Sequence, residues 1–458
     1  MAKVLFIQQN YNTSSPSNNF PWMPVALVEL ASLILEKGHE AKILDRNLYY
    51  DNNKLIKILK NFNPDVVGMT CYTSPMIKDM KQVVEIIKKN SSALVIIGGT
   101  HATLEPKSLL DFPFIDFVVR GEGEQTLLEI LSIIDKKGTN NKKIDKQISK
   151  IKNVNFNQMR PFMNLNELPS PNYDLLEVRK YPIATFFTSR GCPGKCTFCY
   201  NLGRQLRFYD TKKIIDTMTH VLGKYNIREF TIADDNFANL SKRTTQICDA
   251  LSKFNAIFHI FQRVDQVQDK VMQDLKKAGC WSMQFGFESG SQRVLDFLNK
   301  QVTLEQNINA IKQCRKHNIF VDGSFMTGLP TETLSEMNET VAFVKKYKPD
   351  AVDIKIYTPY PNTELYNFGI KQGLMKKPET LDEWAEIGNL KAGAINLSKI
   401  PTPLLIKTVN ELSKTSNLVY LKKALLLLKG KHYSYLSLKA KTILKNKLGL
   451  RYDDQKVK

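Results

Sequence analysis

Short apolar runs and amphipathic stretches alternate along most of the chain. Residues 3–8 read as a strand, and a 3.6-residue apolar period over 25–37 reads as a helix ending at Gly38. The pattern then repeats, with strands over 40–44, 65–70, 93–97 and 117–119 and helices over 53–62, 74–89 and 124–134. Strands that alternate with helices through short connections predict a flavodoxin-like, doubly wound parallel sheet over residues 1–135. Such α/β sheets take ligands beyond the carboxyl ends of their strands. The segments found there, 8–19, 70–74, 98–103 and 120–124, are polar or glycine-rich.

A second alternating series follows. Residues 136–180 read as a linker, made of a polar, Lys/Asn-rich exposed connection over 135–157 and a proline-stiffened strap over 165–176. Strands are then expected over 184–189, 229–233, 258–261, 282–287, 320–326 and 351–357. Helical patterns separate them, for example over 211–225, 242–254, 269–278, 291–297 and 305–317. Six βα units predict a partial (β/α)6 barrel over 181–400, with its working groups at the strands' carboxyl ends. Residues 401–458 form a basic C-terminal region with helical stretches over 404–412 and 418–428.

Composition narrows this α/β picture. With 458 residues, 43% hydrophobic, the chain has ample core for two or three domains. Seven cysteines, three of them clustered, argue against a disulfide framework and for a reducing, cytoplasmic setting. No signal peptide is read at the N-terminus, and no apolar run reaches the ~18 residues of a membrane span. The net charge is +20, and the last 58 residues, with 13 basic and 3 acidic side chains, carry half of it. That region is expected to cap the substrate mouth or to make peripheral membrane contact. Nucleic acid is not an expected partner.

The densest chemistry lies in Cys192-Pro-Gly-Lys-Cys196-Thr-Phe-Cys199, on the loop leaving the strand at 184–189. Thiolates suit zinc or iron–sulfur clusters. Structural zinc asks for four protein ligands, and no fourth Cys or His stands nearby. A [4Fe–4S] cluster on three cysteines leaves one iron open to a substrate or cofactor. This CxxxCxxC spacing, with Phe198 before the third cysteine, resembles the cluster loop of radical S-adenosylmethionine (SAM) enzymes.

The upstream domain resembles the cobalamin-binding domain of that superfamily's cobalamin-dependent class. The matching pieces are Met69-Thr-Cys-Tyr-Thr73, Ile97-Gly-Gly-Thr-His-Ala102 and Arg120-Gly-Glu-Gly-Glu124. The resemblance implies that Thr70, Thr73 and Ser74 bond the nucleotide tail, while Gly98, Gly99 and Gly121 let cobalamin lie against the sheet. His101, at the same edge, is a candidate for direct contact. The Asp-x-His-x-x-Gly signature that supplies a lower cobalt ligand in mutases is absent after the first strand.

In the core, the resemblance assigns Cys192, Cys196 and Cys199 to the cluster. Asp235 or Asn236 would meet the SAM amino group, Glu288 and Ser289 its ribose, and Arg293 its carboxylate. Residues 323–332 would pack on adenine, and Arg204 is a candidate clamp for the cluster loop. Cys248, Cys280 and Cys314 read as buried structural thiols.

The implied activity is methylation of an unactivated carbon in a small-molecule or lipid-like substrate. It would use a [4Fe–4S] cluster, SAM and cobalamin, with a reductant such as ferredoxin or flavodoxin. Radical cyclisation or oxidation without methyl transfer, as in anaerobic porphyrin cyclases, is the alternative. An RNA-modifying methylthiotransferase would need a second three-cysteine cluster near the N-terminus, where only Cys71 stands. A cobalamin-binding sensor has no use for an open-site cluster.

Overall fold

The computed structural model describes residues 1–10, 22–73, 76–138, 142–181, 183–200, 204–239, 241–387 and 395–413. They divide into two compact units. One takes the residues up to 181 together with 377–387, and the other takes 183–376 and 395–413.

The first unit is built on β1 (Lys3–Gln8), β2 (Glu40–Asp45), β3 (Val66–Thr70), β4 (Leu94–Gly98) and β5 (Phe117–Val118). They pair in parallel in the order β2-β1-β3-β4-β5. The chain turns from one side of β1 to the other between β2 and β3, which makes the carboxyl ends of β1 and β3 the switch point where such sheets bind ligands. Helices Val25–Glu36, Asn52–Phe62 and Met76–Asn90 connect strands, and Glu124–Lys137 follows β5. Val4, Phe6, Leu27, Ala31, Ile34, Ile130 and Leu131 share one buried core.

The expected exposed connection after residue 135 is a correction. A helix at Lys142–Ile148 sends Ile144 and Ile148 into that same core, followed by Ile151 and Val154. Asn155 then takes both backbone groups of Val118, with N–O distances of 2.7 and 3.0 Å, and so covers the edge strand. Lysines and asparagines between these apolar positions hid a three-to-four-residue stripe. The strap does lie along this unit, as Asn172 N–H bonds Ser32 Oγ at 2.8 Å and Tyr181 OH bonds Asp45 at 2.8 Å. Residues 377–387, expected in the barrel, also belong here. Their helix Leu381–Glu386 packs on Met76–Asn90.

The second unit holds β6 (Ala184–Phe186), β7 (Ser189–Arg190), β8 (Arg207–Phe208), β9 (Glu229–Ile232), β10 (Ile257–Gln262), β11 (Cys280–Glu288), β12 (Phe320–Thr327) and β13 (Ala351–Ile356). Six of them form a parallel sheet in the order β6-β9-β10-β11-β12-β13, each next to its predecessor in the sheet. Helices follow at Thr211–Tyr225, Ser241–Leu251, Asp269–Lys277, Leu304–Lys316 and Leu334–Tyr347. One expected strand splits. The run at 184–189 becomes β6, and β7 leaves the sheet to pair antiparallel with β8 around the cysteine loop.

Side chains alternate across this sheet. Phe287 and Phe325 lie against Phe343 of the Leu334–Tyr347 helix, so their face is the apolar one covered by helices. The opposite face carries His259, Ser282, Gln284, Asp322, Ser324 and Asp353. Helix Thr402–Ser413 packs on β13, with Leu405 joining Ile356, Met337 and Ile400. That places the described part of the C-terminal region on the helix-covered face of β13, where it does not cap the open face. The stretch at 418–428 lies outside the described residues.

Candidate functional site

The cysteine loop is fastened before it begins. Asp234, fully buried, accepts Thr188 N–H at 2.6 Å and Ser189 Oγ at 2.7 Å, along with the Thr188 hydroxyl. Arg243 holds the Thr188 carbonyl at 2.6 Å. Burial pushes the Asp234 carboxyl up, against the pull of those bonds. Gly191 then turns at φ +88°, in a region that favours glycine.

Within the loop, three neighbours fix the backbone. Thr197 N–H bonds the Leu298 carbonyl at 3.0 Å, and the Thr197 carbonyl accepts Leu365 N–H at 2.9 Å. Asn299 Nδ2 donates to the Lys195 carbonyl at 2.9 Å. Phe198 packs among Val294, Leu298 and Leu365, which explains the aromatic residue before the third cysteine. Cys196 is 9% exposed, Cys192 is half-buried and Cys199 is open to solvent.

Two cations serve this loop that the sequence reading missed. Arg263, at the end of β10, grips Asp265 through Nε and Nη2 at 3.0 and 3.1 Å and donates to the Lys300 carbonyl at 3.1 Å. A Cβ on Gly194 would stand 2.9 Å from Arg263 Nη1 and 3.5 Å from Cys192 Sγ, so that glycine lets the guanidinium reach the loop. Burial pushes the Cys192 thiol up, while the Gly194 N–H and Arg263 pull it back down. Lys300 is buried and bonds Glu288 at 2.6 Å, and its charge also acts on Cys196. The one sequence signal for Arg263 was its place at a strand's carboxyl end, in the segment Gln262-Arg-Val-Asp265.

The other rim residues fall into two groups. Asp235 is exposed beside the loop, and its carboxyl is raised by desolvation and then by Asp234. Asn236 is fully buried. Its Oδ1 takes Arg263 N–H at 3.4 Å, and its Nδ2 has no partner. Glu288 sits at φ +62°, just past a register shift between β11 and β12. Glu332, in the segment expected to meet adenine, accepts Leu329 N–H at 3.1 Å through Oε2, while its buried Oε1 has no partner. Burial pushes the Glu332 carboxyl up to about 7.

The second group is held by partners within the protein. Ser289 is fully buried against Thr340, with the hydroxyls 3.1 Å apart. Arg293 is half-exposed and paired with Glu336, whose oxygen also accepts Thr333 N–H at 2.8 Å. Arg204 makes an exposed pair with Glu364 at 2.6 Å. Cys248, Cys280 and Cys314 are buried, as expected.

In the first unit the candidates gather at the carboxyl ends of β3 and β4. Gly99, at φ +92°, brings its backbone against Cys71, and a Cβ there would meet Cys71 N and O at 3.0 Å. Gly98 is half-buried, and Gly121, at φ +67°, donates its N–H to Thr103 Oγ1 at 2.9 Å. Thr70 Oγ1 lies 3.5 Å from Oε1 of Gln9, whose fully buried Nε2 has no partner. Ser74 lies outside the described residues.

His101 is a correction to the expectation of direct contact. It is fully buried, with Nδ1 2.9 Å from Thr73 Oγ1 and Nε2 2.9 Å from Ser108 Oγ. The Ser108 hydroxyl donates to the Glu105 carbonyl at 3.2 Å, so it accepts from Nε2–H. That fixes the tautomer: Nδ1 is the acceptor, and Thr73 donates to it. Burial holds the imidazole down at about 4, so it stays neutral.

These arrangements fit the expected groups. Buried polar atoms are normally bonded, so Asn236 Nδ2, Glu332 Oε1 and Gln9 Nε2 mark places where a ligand can complete the set. Three thiols beside two cations suit a cluster of iron and sulfide that takes one thiolate per iron. Among the described residues no three side chains gather as ligands of a single ion. A multi-iron cluster does not ask that of them. The glycine edge at 98–99 gives a flat cofactor room against the backbone.

Comparison with known proteins agrees. Residues 186–344 match the Radical SAM superfamily, and residues 18–131 match the B12 binding domain. An uncharacterized methyltransferase of Pyrococcus horikoshii is 35% identical over 372 residues, which cover 77% of this chain and 79% of that protein. The anaerobic magnesium-protoporphyrin IX monomethyl ester cyclase of Rubrivivax gelatinosus is 28% identical over 404 residues, covering 83% and 71%. Among solved structures, the radical S-adenosylmethionine methyltransferase TsrM of Kitasatospora setae, with cobalamin and [4Fe-4S] cluster bound, superposes with a TM-score of 0.68 at 16% identity, covering 84% of this chain and 81% of that one.

Proposed function

As the chain belongs to the radical SAM superfamily and carries that superfamily's B12 binding domain, we propose that it methylates an unactivated carbon of a small polar molecule. The observation that carries this is the pairing, in one chain, of a three-thiol loop flanked by Arg263 and Lys300 with a glycine edge at the carboxyl end of a parallel sheet, against the segment that follows β3. When bound, the cluster and SAM supply a carbon-centred radical, and cobalamin supplies a methyl group.

The protein's share is placement. Asp235 offers a carboxylate beside the loop, suited to the ammonium of SAM, and Asn236 Nδ2 and Glu332 Oε1 offer a donor and an acceptor. Lys300 holds Glu288 at the end of β11, where it can accept from hydroxyl groups. Arg263 and Lys300 add positive charge near the thiolates, which stabilises the anionic ligand set. Gly99 keeps the backbone low along one edge for a flat cofactor.

The open face of the second sheet bears on the substrate. Gln284 and Asp322 are register partners, as are Ser324 and Asp353. This polar face favours a hydrogen-bonding substrate over a hydrocarbon one, and so weighs against a lipid and against membrane contact. Among the described residues no helix is long and apolar enough to cross a membrane. An external reductant, a ferredoxin or flavodoxin, belongs to the same reading.

The resemblance to a cyclase keeps radical cyclisation as the second reading. Anaerobic reconstitution with iron, sulfide and cobalamin separates the two. About four iron and one cobalamin per chain, with the iron lost in Cys196→Ala and a methylated product formed from labelled SAM, is the expected result. Iron without cobalamin would remove methyl transfer and leave radical chemistry alone.

A further inference from the structure

Residues 377–387 follow the last strand of the second sheet, yet they fold onto the first unit. Helix Leu381–Glu386 has only six residues, too few to be stable alone. It is closed at its start by a capping box between Thr380 and Glu383, and its apolar side chains Leu381, Trp384 and Ala385 are all buried. Trp384 is fully buried, and its ring lies edge-on to His101 with centroids 5.5 Å apart. Charges rim the contact. Lys81 bonds Asp382 at 2.6 and 2.8 Å, Lys78 pairs with Glu386, and Lys377 lies 3.8 Å from Glu105.

The contact leads straight to the candidate cradle. Trp384 fixes the His101 ring, whose Nδ1 accepts from Thr73 just beyond β3. His101 N–H bonds the Cys71 carbonyl at 2.9 Å, and Cys71 N–H bonds the Gly98 carbonyl at 2.8 Å. One indole thus sets the segments 71–73 and 98–101, between which Gly99 makes its close approach to Cys71.

We propose that helix Leu381–Glu386 is a latch on the corrinoid cradle, with Trp384 as a positioning residue that acts through His101 and Thr73. The inference rests on the cobalamin reading above. It makes cofactor retention in the first unit depend on residues that come after the radical SAM segment, so a chain cut before residue 377 would keep the sheet and lose the latch.

The test uses the full chain, reconstituted anaerobically and titrated with hydroxocobalamin under a visible spectrum, with iron counted in parallel. Trp384→Ala should bind cobalamin roughly tenfold more weakly, in the range seen when a ligand's supporting residue is removed. The bound spectrum should drift toward that of free cofactor, with iron content unchanged. Trp384→Phe should restore most of the affinity, because a ring edge remains for His101. Should Trp384→Ala lose iron as well, the decisive variant is the surface double Asp382→Lys with Glu386→Lys, which sets lysines against Lys81 and Lys78 without touching the core. Severalfold weaker binding supports the latch, and wild-type affinity in either iron-loaded variant overturns it. A wild-type chain that binds no cobalamin overturns the cobalamin reading instead.

Discussion

The two candidate sites treat their polar groups in opposite ways. At the edge of the first sheet, His101, Thr73 and Ser108 satisfy one another. Nearby, Arg46 and Asp79 form a fully buried pair, 2.7 Å at its closest, with Asn10 N–H also bonded to Asp79 at 2.8 Å. Apart from Gln9 Nε2, what is left for a ligand there is mostly backbone and shape. At the rim of the second sheet, Asn236 Nδ2 and Glu332 Oε1 are a buried donor and acceptor without a partner, and charged groups crowd the cysteine loop. The difference teaches how each site would hold its ligand. A large, flat cofactor needs a rigid edge with little protrusion, whereas a small charged cofactor needs opposed charges. Substitutions at the first site should therefore act through geometry, and at the second through charge.

The strongest test of that contrast is Lys300→Met. It keeps the stem and removes the ammonium, leaving Glu288 buried without its cation. Removing one partner of a buried pair costs about 3–5 kcal/mol, measurable by denaturant unfolding of the cluster-free protein. Adding Glu288→Gln should recover most of the loss, since the uncompensated charge is then gone. A loss under about 1 kcal/mol, as for exposed pairs, would break the charge-dominated account of this rim.

At the first site the sharper probe is Gly99→Ala. Its φ of +92° and ψ of −167° lie in territory that is essentially glycine's, and the new Cβ would meet Cys71 backbone atoms at 3.0 Å. We expect a loss of about 1–3 kcal/mol, together with weakened cobalamin binding. Gly38→Ala is the control. It also has a positive φ, +81°, but its Cβ would meet nothing within 4 Å and it lies far from the carboxyl edge. If both variants retain cobalamin equally, close backbone approach is not what the cradle relies on.

Much of this was legible in the sequence, for identifiable reasons. Most strands of the first sheet are near-continuous apolar runs and those of the second alternate apolar with polar positions, and period and length are enough to find both patterns. The cysteine spacing is local, so it survives without a fold. What escaped was long-range. Ile144, Ile148, Ile151 and Val154 join the first core from within a lysine-rich stretch. Trp384 finds His101 across most of the chain. Arg263 and Lys300 reach the thiols from β10 and from beyond the Gln292–Phe297 helix, positions with no fixed sequence offset from the cysteines. Arg293, expected beside the SAM carboxylate, pairs with the carboxylate of Glu336, 43 residues away, a partner that its own segment does not announce.

The smallest expected effect separates binding from folding on the open face. Asp322 makes no hydrogen bond or ion pair among the described residues; Gln284 is its register partner, and the charged groups that act on it are Asp353 and Lys355. Desolvation first, then Asp353, push its carboxyl up to about 6 from 3.8, with Lys355 opposing. Between those values the folded chain keeps a proton that the unfolded chain has lost. Stability therefore falls as pH climbs from 3.8 to about 6 and stays lowered above it. Asp322→Asn should stabilise the protein by about 1 kcal/mol at neutral pH, a fraction of the full shift because the group is partly solvated. The gain should fade as pH drops toward 4, which unfolding curves at three pH values would show. A gain that ignores pH would mean another cause. A stabilised variant whose KM rises while its iron and cobalamin stay in place would mean that this carboxylate is kept for the substrate, at a cost to the fold.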